Sequence, residues 1–242
     1  LGIFAIAIAT ATLPTLSDHA ADKDINSLKE TINYSLRLTF LIAIPSMVGL
    51  FLLSGLSISV LFERGEFGPT TAVATAGALM IFALKIPFVS GVRNLVPAFF
   101  ALRDAKTPVY VAAFAVIING VVALLLMKSM LHLGLASALV VSSGFNFVLL
   151  FYMLRRKIGP LGYKRLAISV VKTCIASLIM GAAILFLREF LNIGSITSLW
   201  VRGSILISLI AVGVLIFVAV TRLINLDEYH ALMGLLKRRK NP

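Results

Sequence analysis

Lys85, Arg93 and Asn94 are the residues of this chain whose type and position call for chemistry. The run from 71 to 102 is long and apolar enough to cross a bilayer, yet it contains a lysine and an arginine, set among Pro87, Pro97 and apolar neighbours. A Lys or Arg at the centre of a membrane helix costs roughly 2.5 to 3.5 kcal/mol on insertion scales, so such residues face a water-filled cavity or an anionic partner. Eight residues separate the two cations, which on an α-helix places them about 80° apart in azimuth and about 12 Å apart along the axis. They can line one broad face. Carboxylates that could neutralise them are scarce, since all 10 Asp and Glu fall in connections or near span ends. The pattern predicts that the chain holds or moves an anion at depth, with Arg93 and Lys85 as binding cations and Asn94 as a polar neighbour in the same cavity. Pro87 and Pro97 each remove a backbone hydrogen bond and re-aim the groups between them, as in the interrupted helices where transporters bind ligand.

Covalent chemistry finds no support. His19, His132 and His230 are read as lying in separate connections, with no HExxH-like pair, and no nucleophile, base and orienting group come together. No metal site is expected. Cys174, the single cysteine, can form no internal disulfide and reads as a small packing residue. The chain has no phosphate-cradling glycine loop, so neither a nucleotide cofactor nor any other cofactor is implied.

The elements that must position these residues are membrane helices. Of the residues 60% are hydrophobic and 13% charged, with a mean hydropathy of +1.02, against roughly 25% charged in soluble domains. Apolar stretches of about 20 residues place crossings near 36 to 56, 72 to 101, 108 to 127, 133 to 154, 167 to 187 and 203 to 224, and residues 1 to 16 read as the end of a seventh. The segment 1 to 16 lacks an initial Met and the basic stretch of a signal peptide, which predicts a C-terminal piece of a longer protein.

A net charge of +12 could suggest nucleic acid, but the basic residues lie between apolar spans and not on a soluble surface. Taking alternate connections, one side holds 14 Lys and Arg and the other 4, namely Arg64, Lys128, Arg188 and Arg202. The positive-inside rule makes the richer side cytoplasmic, which places the SDHAADKD connection and the C-terminus there. Arg37 and Lys172 are expected to snorkel to headgroups, and Asn119 and Asn146 to bond between helices. The clusters RRKIGPLGYKR at 155 to 165 and KRRK at 237 to 240 read as surface anchors. Ile25, Leu28, Ile32 and Leu36 predict an interfacial helix that precedes an inward turn, and Leu226, Leu232, Met233, Leu235 and Leu236 predict a second in the tail.

Three stretches carry a resemblance. ATLPTLS at 11 to 17, LFERGEF at 61 to 67 and LVPAFFALRDAKTP at 95 to 108 resemble the MurJ (MviN) lipid II flippase family, of the multidrug/oligosaccharidyl-lipid/polysaccharide exporter superfamily. The likeness is specific up to about residue 110 and rests on span count and charge beyond it. It implies an all-α integral membrane protein, with the end of the eighth span through the fourteenth of a two-lobed exporter fold. Residues 1 to 156 would belong to the second lobe, and 157 to 242 would form two extra spans and a basic cytoplasmic tail. The implied activity is movement of undecaprenyl diphosphate-linked disaccharide pentapeptide, lipid II, from the cytoplasmic to the periplasmic leaflet of the bacterial inner membrane by alternating access. Arg93 falls where the family places an important cation in its central cavity, and the last two spans correspond to the pair that forms a groove for the polyprenyl tail. A forked, permanently charged guanidinium suits a diphosphate. The implied partners are lipid II, membrane lipids and a missing N-terminal lobe that carries the family's other cavity arginines, so this stretch alone is expected not to transport.

Two alternatives remain at this level. Another superfamily exporter, moving a polysaccharide lipid or exchanging a drug for a cation, would share the fold, although an antiporter would be expected to carry a mid-span carboxylate. A membrane enzyme acting on polyprenyl phosphates would need acidic or histidine-bearing interfacial loops, for which SDHAADKD is the one candidate.

Overall fold

The backbone of a membrane span has no water to bond, so long apolar runs must close their hydrogen bonds internally as helices. The computed structural model describes residues 2–63, 67–191, 198–226 and 228, and these residues form eight helices with no strand among them. They are α1 (Gly2–Ala21), α2 (Ile25–Phe62), α3 (Pro69–Ala83), α4 (Ile86–Ala101), α5 (Lys106–Met130), α6 (His132–Ile158), α7 (Tyr163–Phe190) and α8 (Leu199–Leu223). Six runs among them are long and apolar enough to cross a membrane, with α3 and α4 counted together as Pro69–Ala101. All six sit on the six crossings read from sequence. Residues of the LFERGEF turn (64–66), the 192–197 connection and the tail with His230, Leu232, Met233, Leu235, Leu236 and KRRK lie outside the described residues.

Contacts group the chain into two compact units. The first comprises Leu1–Ala43 and Lys85–Val171, and the second Ile44–Leu84 and Lys172–Pro242. In the first unit α4 packs on α1 and α6, and α5 packs on α6. Much of α5 presents apolar side chains outward, with Val116, Ile117, Leu124 and Leu125 at least 60% exposed. Such a surface suits acyl chains and would be unfavourable in water. In the second unit Leu53, Met180, Ile184, Leu206 and Leu209 form a buried core with contributions from α2, α7 and α8.

Several expectations change. The apolar stripe at 25 to 36 is the first part of the continuous 38-residue helix α2, with no inward turn. Leu28, Ile32 and Leu36 are fully buried against protein, because no helix breaker separates them from the span. The predicted single helix over 72 to 101 is two helices, broken at Leu84 and Lys85. Pro87 stands in the first turn of α4, and lacking an N–H it cannot bond the carbonyl four residues back. His19 lies in the last turn of α1 and His132 is the first residue of α6, so neither is in a loop. Lys172 donates from Nζ to the carbonyl of Ile224 at 3.2 Å. It caps the C-terminal end of α8, where a cation complements the helix dipole. The buried Oδ1 atoms of Asn119 and Asn146 accept no hydrogen bond among the described residues, so the interhelical bonding expected there is not made through those oxygens.

Two connections share one design. After α1, Lys23 takes φ 56° and the Asp24 N–H donates to the His19 carbonyl at 2.9 Å; after α4, Arg103 takes φ 55° and the Asp104 N–H donates to the Phe99 carbonyl at 2.9 Å. This left-handed closure satisfies helix-end carbonyls. Each Asp then caps the next helix. Asp24 accepts from the Ser27 N–H (3.1 Å) and hydroxyl (2.6 Å), and Asp104 from the Thr107 N–H (3.1 Å) and hydroxyl (2.8 Å).

The α5–α6 hairpin is tighter still, with Leu131 alone between the helices at φ 49° and ψ −126°. That conformation strains any residue with a Cβ. A Cβ on Gly134 would lie 2.5 Å from the Leu126 carbonyl oxygen, so only glycine fits there. Leu131 is 68% exposed, and little packing depends on it. Leu131→Gly is therefore expected to raise thermal stability, by about 1 kcal/mol net of the added chain entropy. Gly134→Ala is expected to lower it by about 2 kcal/mol through the backbone clash. Melting of both variants in the same detergent checks the pair, and a destabilised Leu131→Gly would refute the strain.

Candidate functional site

Helix α4 carries Arg93 and Asn94, and Lys85 is the residue immediately before it. Its buried positions are Ser90, Gly91, Asn94, Leu95, Ala98 and Phe99, a stripe at the i, i+1, i+4, i+5 spacing of one helical face. Arg93 lies off that stripe, on the opposite side of the helix by its spacing, and Arg93 and Lys85 are both half-buried. Lys85 sits in the break itself, immediately before α4.

Asn94 is placed differently from the cavity neighbour expected. It is 2% exposed, and its Nδ2 donates to Thr39 Oγ1 on α2 at 2.8 Å and to the Ser90 carbonyl at 3.0 Å. An amide held this way fixes the azimuth of α4 against the first half of α2. Asn94 does not itself face open space.

The C-terminal end of α4 is fixed as well. Lys157 Nζ on α6 bonds Asp104 Oδ2 at 2.6 Å. This Lys157 contact first, and the Thr107 backbone N–H and hydroxyl after it, hold the Asp104 carboxyl well below its ordinary range, at about 2. Asp24 is likewise lowered, chiefly by the Ser27 hydroxyl and then its N–H. In the second unit Arg202 pairs with Glu63 at 3.5 Å.

A feature that sequence reading missed is a cavity of about 1140 Å³ in the first unit, walled by the end of α1, the start of α2 and the α6–α7 connection. Arg37, Lys164 and Arg165 line it. The first was read as snorkelling and the other two as surface anchors. Among the described residues no group of three His, Cys, Asp or Glu is placed to hold a metal.

The apolar helices, their outward-facing aliphatic surfaces and half-buried intramembrane cations define a multi-pass α-helical membrane protein. A family model described as lipid II flippase MurJ matches residues 1–223, and the chain belongs to that family. Similar proteins include a probable lipid II flippase MurJ of Rhizobium meliloti (strain 1021), 32% identical over 91% of this chain and 42% of that protein. Another is that of Thermotoga maritima, 33% identical over 96% of this chain and 45% of that protein. The chain thus spans under half the length of these relatives. A solved structure, lipid II flippase MurJ in an inward closed conformation, superposes with a TM-score of 0.74 at 23% identity, over 96% of this chain and 44% of that one. At that identity the superposition speaks for the fold.

The depressed Asp104 carboxyl gives a pH prediction. A group whose folded pKa lies below its unfolded value stabilises the fold above the unfolded pKa, and that contribution fades as pH falls toward the folded value. The loss belongs between the ordinary value of 3.8 and about 2. Asp104→Asn should melt lower than the parent at pH 6, with the gap narrowing toward pH 2. A gap that stays constant with pH would refute the charge-based account.

Proposed function

We propose that this chain serves as the second-lobe portion of a flippase that carries lipid II from the cytoplasmic to the periplasmic leaflet by alternating access. The observation that carries the reading is the family match across residues 1–223. The 14-to-4 division of Lys and Arg between alternate connections supports a bacterial inner-membrane protein with a cytoplasmic C-terminus. In this reading residues 1 to 156 contribute to the lobe, and residues 157 to 242 add the two last spans and the basic tail. Helices α7 and α8 offer the polyprenyl tail its groove.

Arg93 attracts the diphosphate, and Lys85, at the helix break, is the second cation. Half-burial on the side of α4 opposite its buried stripe suits this role, because a forked guanidinium can bond two phosphate oxygens at once. Asn94 acts as a positioning residue through Thr39. Flipping breaks no covalent bond, so the role needs electrostatic attraction and a moving cavity and no nucleophile.

Arg93→Ala in the full-length protein is expected to lower lipid II flipping at least tenfold while membrane insertion persists, and Arg93→Lys to retain part of it. Measuring which leaflet holds lipid II after depletion of the parent protein checks this. Normal flipping by Arg93→Ala would remove the proposed role. For Asn94→Leu, which keeps the volume and loses the bond to Thr39, a partial loss is expected together with a lower melting temperature.

A further inference from the structure

The cavity at the start of α2 gathers like charge from two helices. Lys29 and Arg37 come from α2, Lys164 and Arg165 from the first turn of α7, and Glu30 is the one carboxylate among the lining residues. Cations in the first turn of a helix oppose its dipole, which favours anions there. No acidic residue occupies that turn of α7. Four cations against one carboxylate leave the lining with an excess of positive charge, which attracts an anion.

The connection that brings them together is built. Gly159 and Gly162 take φ +87° and +67°, which lets the Gly-Pro-Leu-Gly segment fold back against α2. Asn33 Nδ2 donates to the carbonyls of Leu161 at 2.7 Å and Gly162 at 3.2 Å. Leu161 is 2% exposed, and Arg155 stacks 5.8 Å from the centre of the Tyr163 ring. Lys29 is drawn in as well, since a Cβ on Gly159 would lie 3.3 Å from its Nζ. The cations on α7 are thereby held beside those on α2 by a pinned backbone, in contrast to basic side chains that float at a surface. A space of about 1140 Å³ exceeds a bare phosphate and accommodates a phosphorylated headgroup.

We propose that this cavity is a binding site for a phosphate group, contacted by Lys29, Arg37, Lys164 and Arg165 and separate from Arg93. The site is independent of the flippase reading. Its phosphate can come from a bilayer lipid headgroup or from a free anion, and the two sources are separable by experiment.

The test uses the full-length protein in an Arg93→Ala background, so that the α4 site cannot account for the binding. Equilibrium dialysis with radiolabelled inorganic pyrophosphate is expected to give one saturable site, weakened at least tenfold in Lys164→Gln/Arg165→Gln and unchanged in Lys128→Gln. Lys164 and Arg165 are exposed, so their replacement leaves the fold intact, and an unchanged melting temperature verifies it. In parallel, native mass spectrometry after reconstitution with phosphatidylglycerol is expected to show one fewer retained lipid in the double variant. Weakening in both arms supports a site open to either source; weakening in the lipid arm alone supports a headgroup site. Binding in both arms equal to that of the parent, or lost equally in Lys128→Gln, overturns the proposal.

Discussion

The constraint on which everything else depends is that backbone amides in hydrocarbon must be bonded within the chain. It keeps the apolar part of the 38-residue helix α2 unbroken, and it confines departures from helix to places where another group takes over. At Lys23 and Arg103 the left-handed residue closes the preceding helix while the following Asp opens the next. The two turns are therefore short and stiff, and they carry both signs of charge within two residues. Side chains that would be soluble decoration in a water-borne protein here complete the backbone's hydrogen bonding.

Charge placement follows from the same constraint. A cation near hydrocarbon must find an acceptor, and the chain supplies different ones by position. Lys172 finds the free carbonyl at Ile224, Lys157 finds Asp104, and Arg202 finds Glu63. Each of these contacts lies near a helix end, where geometry leaves acceptors over. Arg93 is different in being well inside α4, seven residues beyond its start at Ile86.

The spans were legible in the sequence because twenty apolar residues in a row have few other uses. That Arg93 falls away from the buried stripe of α4 was legible too, since helical periodicity fixes azimuth within the helix. The break at Lys85 was half legible: Pro87 signals a disturbance, but proline tolerates both a bend within a helix and the first turn of a new one. The fate of Leu28, Ile32 and Leu36 was not legible, because an apolar stripe beside polar residues reads the same whether it faces lipid or protein. Least legible was the Asn33 bond to Leu161, which joins residues 128 apart in sequence. Only the fold brings Gly159 and Gly162 against α2, and without that contact the basic cluster at 155 to 165 looks like an ordinary surface anchor.

Pinning distinguishes the arginine of α4 from a cation that merely tolerates its surroundings. A snorkelling side chain keeps its rotamer freedom and follows the nearest water, so it exerts no directed field. Arg93 is attached to a helix whose rotation is fixed by Asn94 at Thr39 and whose far end is fixed by Asp104 at Lys157. Rolling α4 to hide the guanidinium would break the first contact and bury the cation against Leu95 and Ala98, at the far larger desolvation penalty of a charge in a packed interior. The buried amide one residue away thus opposes that roll, and under the proposed function a charge held in place can select an anion by position as well as by sign.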